Sequence, residues 1–247
     1  MSVMTVRELV PTRQPSRSVS FWDPSSGTRI EAHTPSDRPD LWHRYVEGVT
    51  RSYRRYGVEA ALDLESFVDG DSTSLFFVAF DPTHEVVAGV RMHGPLGDSA
   101  QAHALLEFAS DPGGVTTIRR LIDNRLPFGV IEMKGGWVAH DTPQRSELSS
   151  TLARCFLHAM VILEAQFAFG TAATHAVGRW RTTGARATEG LTPVPYPDER
   201  YETTLMWWDF ARLDSVAEPA QVRRFRAEQA AITHVAGSRP LPIAAYE

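Results

Sequence analysis

Between residues 128 and 173 the hydrophobic pattern changes period twice, from strand to helix and back to strand. Phe128 to Ala139 carries the strand formers Val130, Ile131, Trp137 and Val138. Gly135-Gly136 interrupts that run, which in a strand predicts a bulge or a close backbone approach. Gln144 to Gln166 then sets Leu148, Leu152, Cys155, Phe156, Ala159, Met160 and Leu163 on one face of the longest predicted helix. Phe167 to Ala173 resumes as strand. Upstream, Thr28 to His33 reads as a strand, Leu41 to Tyr56 as an amphipathic helix, and Ser74 to Phe80 with Val86 to Met92 as a hairpin around Asp81-Pro82-Thr83-His84. Ala100 to Phe108 and Val115 to Leu126 read as short helices. Downstream, His175 to Thr183 is helical and ended by Gly184, and Tyr201 to Trp208 is a last strand. This order requires an α/β (α+β) arrangement, a mixed sheet with helices on both sides.

The rest of the chain narrows the class. Its 247 residues, 43% hydrophobic and 22% charged, suit a soluble globular chain with a real core. A formal charge of −5 argues against a nucleic-acid coat, which needs clustered Lys and Arg. The one cysteine, Cys155, excludes an internal disulfide and a thiolate zinc site, so a reducing cytoplasm is the expected compartment. None of the nine histidines falls in a metal-ligand pattern, and no metal is expected. The longest apolar run, Cys155 to Leu163, is too short to span a membrane. Lys134 is the one lysine, hence the one candidate for Schiff-base chemistry. Residues 1–20 read as a flexible arm without the apolar core of a signal peptide, 21–210 as the main domain, and 211–247 as a helical appendage and tail.

Two segments fall where a known superfamily places its motifs. Ala176-Val177-Gly178-Arg179-Trp180-Arg181-Thr182-Thr183-Gly184-Ala185 follows a strand, and Gln144-Arg145-Ser146-Glu147-Leu148-Ser149-Ser150-Thr151-Leu152 opens a long helix. Over roughly Thr28 to Trp208 the chain resembles the GNAT acyltransferases, which implies a mostly antiparallel sheet with splayed central strands. Departures are equally specific. Glu147 and Ser149 stand where the pyrophosphate loop usually has glycines, and Trp180 stands where a general-acid tyrosine is frequent. Together with Val130-Ile131-Glu132-Met133-Lys134-Gly135-Gly136-Trp137-Val138 and the apolar run Ala153 to Phe169, they make the chain most similar to the acyl-homoserine-lactone synthase and N-acyl amino acid synthase branch. Gly135 replaces an arginine of the lactone synthases, and Asp63, Glu65 and Asp69 only loosely echo their acidic positions. The broader branch is therefore favoured over autoinducer synthesis.

The resemblance implies an N-acyltransferase that moves an acyl group from acyl-CoA or acyl carrier protein to a small amine such as an amino acid. Glu132 is the expected base for the acceptor amine, against the plainer reading of an exposed or salt-bridged strand residue, paired with Lys134 on the same face. Main-chain N–H groups at Trp137, Val138 and Ala139 are expected to hold the oxyanion. Gln144, Arg145, Ser146, Leu148, Ser149, Ser150 and Trp180 are expected to hold the phosphopantetheine arm, where the plain alternative is an ordinary helix start. Phe77, Phe108, Phe156 and Met160 are expected to line an acyl pocket, although aromatics at such spacings are more often core. The alternative function is a catalytically silent module of the same fold that binds an acyl ligand or a protein partner. A role for the C-terminal helix in covering the acyl tunnel or forming a homodimer stays open.

Overall fold

The computed structural model describes residues 18–62 and 64–234. In chain order the elements are β1 (Val19–Asp23), β2 (Thr28–His33), α1 (Pro39–Arg55), β3 (Leu75–Phe80), β4 (Val86–His93), α2 (Ala104–Glu107), α3 (Pro112–Asp123), β5 (Val130–Val138), α4 (Arg145–Ile162), β6 (Phe167–Ala173), α5 (Thr174–Thr182), β7 (Arg186–Ala187), β8 (Val194–Pro195), β9 (Glu202–Asp209), α6 (Leu213–Val216), α7 (Pro219–Ala231) and β10 (Thr233–His234). The strands form one sheet in the order β10-β1-β2-β3-β4-β5-β6-β9-β7, with β8 also paired to β9. Every pairing is antiparallel except β5 with β6. That exception follows from α4, because only a long crossover lets two consecutive strands run parallel.

Alternation along the strands divides the core. Phe77, Val90, Met92, Ile131 and Met133 face α4 and α7, with Leu148, Cys155, Phe156 and Met160 packed on them. Phe76 and Val78 face α1 through Leu41, Trp42, Tyr45 and Val49. Further along that second face, Val130, Phe169 and Leu205 meet α2 and α3 through Leu105, Phe108, Ile118 and Ile122.

Two edge elements lie outside the expected ones. β1 begins inside the segment read as an arm, whose first 17 residues lie outside the described ones, and it pairs fully with β2. β10 pairs with β1, so the polypeptide after α7 extends the main sheet. α7 itself is bound to the domain by a buried polar network. Arg154 of α4, 0% exposed, meets Glu228 at 2.6 Å, Asp23 at 3.4 Å and Gln221 at 3.0 Å, and His158 reaches Glu228 at 2.8 Å.

Candidate active site

The parallel ladder between β5 and β6 is short. It pairs Val130 with Phe167 through Met133 with Gly170 and then stops, while β5 continues beside β4 and β6 continues beside β9. The two central strands therefore part after Met133 and Gly170. Gly170 makes close approach possible at the fork: a Cβ there would stand 3.2 Å from the Met133 carbonyl oxygen and 3.5 Å from the Trp180 ring.

On the β5 side the divergence is reinforced by a bulge. Arg91 pairs with Lys134 and Gly89 with Trp137, so β5 spends one more residue than β4 over this stretch. Gly135 supplies it at φ 58°, in the left-handed region, and a Cβ there would collide with the Tyr45 hydroxyl. That hydroxyl donates to the Gly135 carbonyl at 2.8 Å, pinning the bulge to α1. The extra residue also moves Trp137 onto the α1 face with Lys134, whereas Val138 faces α4. Ala139 N–H donates to Val87 O at 2.7 Å. By the alternation of an antiparallel ladder, the Val138 N–H then points away from β4, into the opening. Of the three expected main-chain donors, Ala139 is thus engaged and Val138 is the one aimed at the gap.

A cavity of about 880 Å³ runs through the fork and takes walls from both faces of the sheet. Met133 to Val138 and Thr171 to Ala173 form its sides, and Leu152, Ala153, Phe156 and Trp180 form its apolar end. Phe156, Trp180 and Trp208 close that end, with ring centroids 5.1–5.4 Å apart. At the mouth lie Arg145, Ser146 and Ser149 from α4, His175 and Arg179 from α5, and Tyr196 and Tyr201 from the loop before β9. Arg145 donates to the Tyr56 hydroxyl at 2.9 Å, joining the start of α4 to the end of α1.

Gln144 stands at the N-cap of α4 without a side-chain capping bond, and the leading N–H groups of that helix have no intrahelical partner. Glu147, whose carboxylate would repel a phosphate, is exposed and does not line the cavity. The Ser149 and Ser150 hydroxyls fold back onto the carbonyls of Arg145 and Ser146.

Other predicted residues lie elsewhere. Phe77 and Met160 are packed under α4 and Phe108 under α3, none of them lining the cavity. Gln144, Leu148 and Ser150 also do not reach its walls. Cys155 is buried, and burial pushes its thiol well above the usual range. Glu65 and Asp69 line neither this cavity nor its smaller neighbour, and Asp63 lies outside the described residues.

Glu132 is fully buried on the α2 side of the sheet. Its two carboxylate oxygens accept the main-chain N–H groups of His103 and Ala104, each at 2.8 Å, and Lys134 Nζ stands 4.0 Å away. It borders a smaller cavity of about 290 Å³ rather than the large one. The titratable groups that meet the large cavity on this side include Lys134, Glu107, Arg91 and Tyr53. Lys134 Nζ donates to Glu107 Oε1 at 2.6 Å and contacts His103 Nδ1, which is itself 3.0 Å from Glu107 Oε1. Burial alone would raise the Glu107 carboxyl, but the Lys134 ammonium and His103 hold it down at about 2. Burial pushes the Tyr53 phenol up to about 12, so this cavity-lining hydroxyl stays protonated at neutral pH. Sequence reasoning missed His103 and Glu107. Their i, i+4 spacing was visible, but α2 is only four residues long and gains meaning through Lys134, brought to it by the sheet.

Among the described residues no helix is long and apolar enough to cross a membrane, and no cluster of His, Cys, Asp or Glu could hold a metal ion.

No family model matches the chain. An uncharacterized protein of Mycobacterium tuberculosis (strain ATCC 25618 / H37Rv) is 39% identical over 229 residues, covering 92% of this chain and 87% of the relative. A protein of Mycobacterium bovis gives the same values. Among solved structures, FeeM, an N-acyl amino acid synthase from uncultured soil microbes, superposes with a TM-score of 0.54 at 13% identity, over 79% of this chain and 97% of its own. The AHL synthase LasI gives 0.54 at 8% identity, over 77% and 96%. Parted parallel strands, a crossover helix starting at the mouth of the gap and these superpositions agree: the chain belongs to one family with the mycobacterial proteins, and its fold is that of the GNAT acyltransferases.

Proposed function

We propose that the chain is an N-acyltransferase that takes an acyl group from a thioester, acyl-CoA or acyl carrier protein, and gives it to a small amine. The observation that carries this reading is the cavity through the β5/β6 fork, open to both faces of the sheet. A thioester arm lying along the α4 side meets the Val138 N–H, and an amine arriving from the α1 and α2 side meets the same carbonyl carbon. Holding both reactants in one slot removes most of the entropic cost of their encounter.

In this reading the donor's phosphate rests against the uncapped start of α4, with Arg145 and Arg179 as counter-charges and Ser146 and Ser149 on the wall. The acyl chain runs toward Phe156 and Trp180, whose bulk sets its depth. The Val138 N–H holds the developing oxyanion. Glu132 acts here by position: it fixes the His103 and Ala104 amides and thereby the cluster of His103, Glu107 and Lys134 at the acceptor side. FeeM and the AHL synthases are named for attaching acyl groups to amino acid-type amines, and an amino acid is the acceptor class to try first.

The test is thiol release from a panel of acyl-CoA and acyl-carrier-protein donors, each with mixed amino acids, followed by mass spectrometry of the products. Amide formation with at least one pair supports the reading. No thiol above background with any pair overturns it and favours a silent acyl-binding module.

A further inference from the structure

We propose that the proton lost by the acceptor amine leaves the protein through Lys134 and His103 into the smaller cavity, which serves as a proton exit. The inference rests on the acyltransfer reading. When an ammonium and a thioester become an amide and a thiol, the new C–N bond replaces the C–S bond and one net proton must reach solvent in each turnover. The large cavity is the place where that proton is released.

Arg91 and Lys134 line both cavities, and at Lys134 three titratable side chains meet between them. Glu107 lines the large cavity only, His103 lines the smaller one only, and Lys134 lines both. They meet at one point, where Lys134 Nζ contacts Glu107 Oε1 and His103 Nδ1. The smaller cavity is bordered by Leu106, 64% exposed, and by Arg119, an exposed residue of α3, so it reaches the surface. His103 Nε2 makes no hydrogen bond to any described residue. The charged and titratable groups around the ring are Glu107 on its own helix, Glu132 and Lys134 on β5, Arg91 and His93 on β4, and Arg119 on α3.

The transfer balances without any further reactant. Lys134 gives a proton to His103 Nδ1, and the imidazolium loses its Nε2 proton to water in the smaller cavity. The neutral Nζ takes the proton of the acceptor ammonium, whose nitrogen then attacks the thioester carbon. When the ring turns Nδ1 toward the smaller cavity, water takes the Nδ1 proton and returns one to Nε2, which restores the starting tautomer with no net change in protons. Glu107 stays ionised throughout, as the fixed counter-charge that keeps the positive charge of this relay tolerable in a buried place.

The experiment is His103→Ala, assayed for amide formation with a donor and amine that the wild type uses, without and with added imidazole. Imidazole fits a cavity of this size and replaces the missing ring. Expected are a fall in kcat of about 100-fold, the usual reach of a positioned proton carrier, an unchanged KM for the donor, and recovery of rate that rises with imidazole concentration. A merely structural role would not be rescued. If the alanine variant does not fold, Leu106→Trp narrows the same cavity from an exposed position and is expected to lower kcat with the donor KM unchanged. A His103→Ala rate within about twofold of wild type, or a loss that imidazole does not repair, overturns the relay. So does an unaltered kcat in Leu106→Trp. Absence of transfer by the wild type itself overturns instead the acyltransfer reading, on which the relay depends.

Discussion

Truncating Glu228 to alanine tests how α7 is held against the helix that borders the cavity. The glutamate is buried and makes three close contacts: 2.7 Å to Arg154 Nε, 2.6 Å to Arg154 Nη2 and 2.8 Å to His158 Nε2. Its removal leaves Arg154, itself without exposed surface, with the more distant Asp23 at 3.4 Å as its remaining carboxylate. Breaking a buried pair from one side costs about 3–5 kcal/mol, because the surviving charge stays desolvated. For a domain of this size that lowers the thermal midpoint by roughly 6–20 °C. Circular dichroism melts and urea titrations of wild type and Glu228→Ala measure it. The same argument expects the double variant Arg154→Met with Glu228→Leu to regain most of the loss, since neither of those two charges is then stranded and Asp23 keeps the hydroxyl hydrogen bonds of Ser25, Ser26 and Thr151. A Glu228→Ala loss below about 1 kcal/mol, the range of exposed ion pairs, would refute the view that this network is dry and structural.

Two further outcomes follow from the buried charges. Burial pushes His158 below its usual 6.5, so the unfolded chain binds the proton more readily and stability falls as the pH drops below about 6.5. Glu107, held at about 2, contributes stability that is present above 4.5 and lost as the pH falls toward 2. Urea midpoints should therefore decline in two stages, and His158→Gln should remove the upper one; a flat wild-type midpoint between pH 7 and 5 contradicts this. Glu132→Gln should lower thermal stability by about 1–3 kcal/mol, because an amide NH2 then faces a main-chain N–H inside the protein. A fully stable but inactive Glu132→Gln would return the direct proton-accepting role to Glu132.

Local periodicity in the sequence determined the elements that are long or strongly patterned. β2 and β6 fall where alternation placed them, α4 where the apolar face placed it, and the bulge at the two glycines of β5, because side-chain pattern and backbone freedom are properties of the segment itself. The superfamily resemblance was also readable, from the order of those elements. Edge strands β1 and β10 were not, since a strand of two to five residues owes its existence to the partner beside it. Which face a side chain takes was decided later still. Phe77, Phe108 and Met160 look the same in sequence as Phe156, yet only Phe156 reaches the fork, and a one-residue bulge settles where Trp137 points relative to Lys134. Glu132, Glu107, His103 and Lys134 come from two elements more than 20 residues apart, and only the packing of α2 on the sheet turns them into one cluster. The chemistry of single residues is written locally, whereas their distances are consequences of tertiary contact.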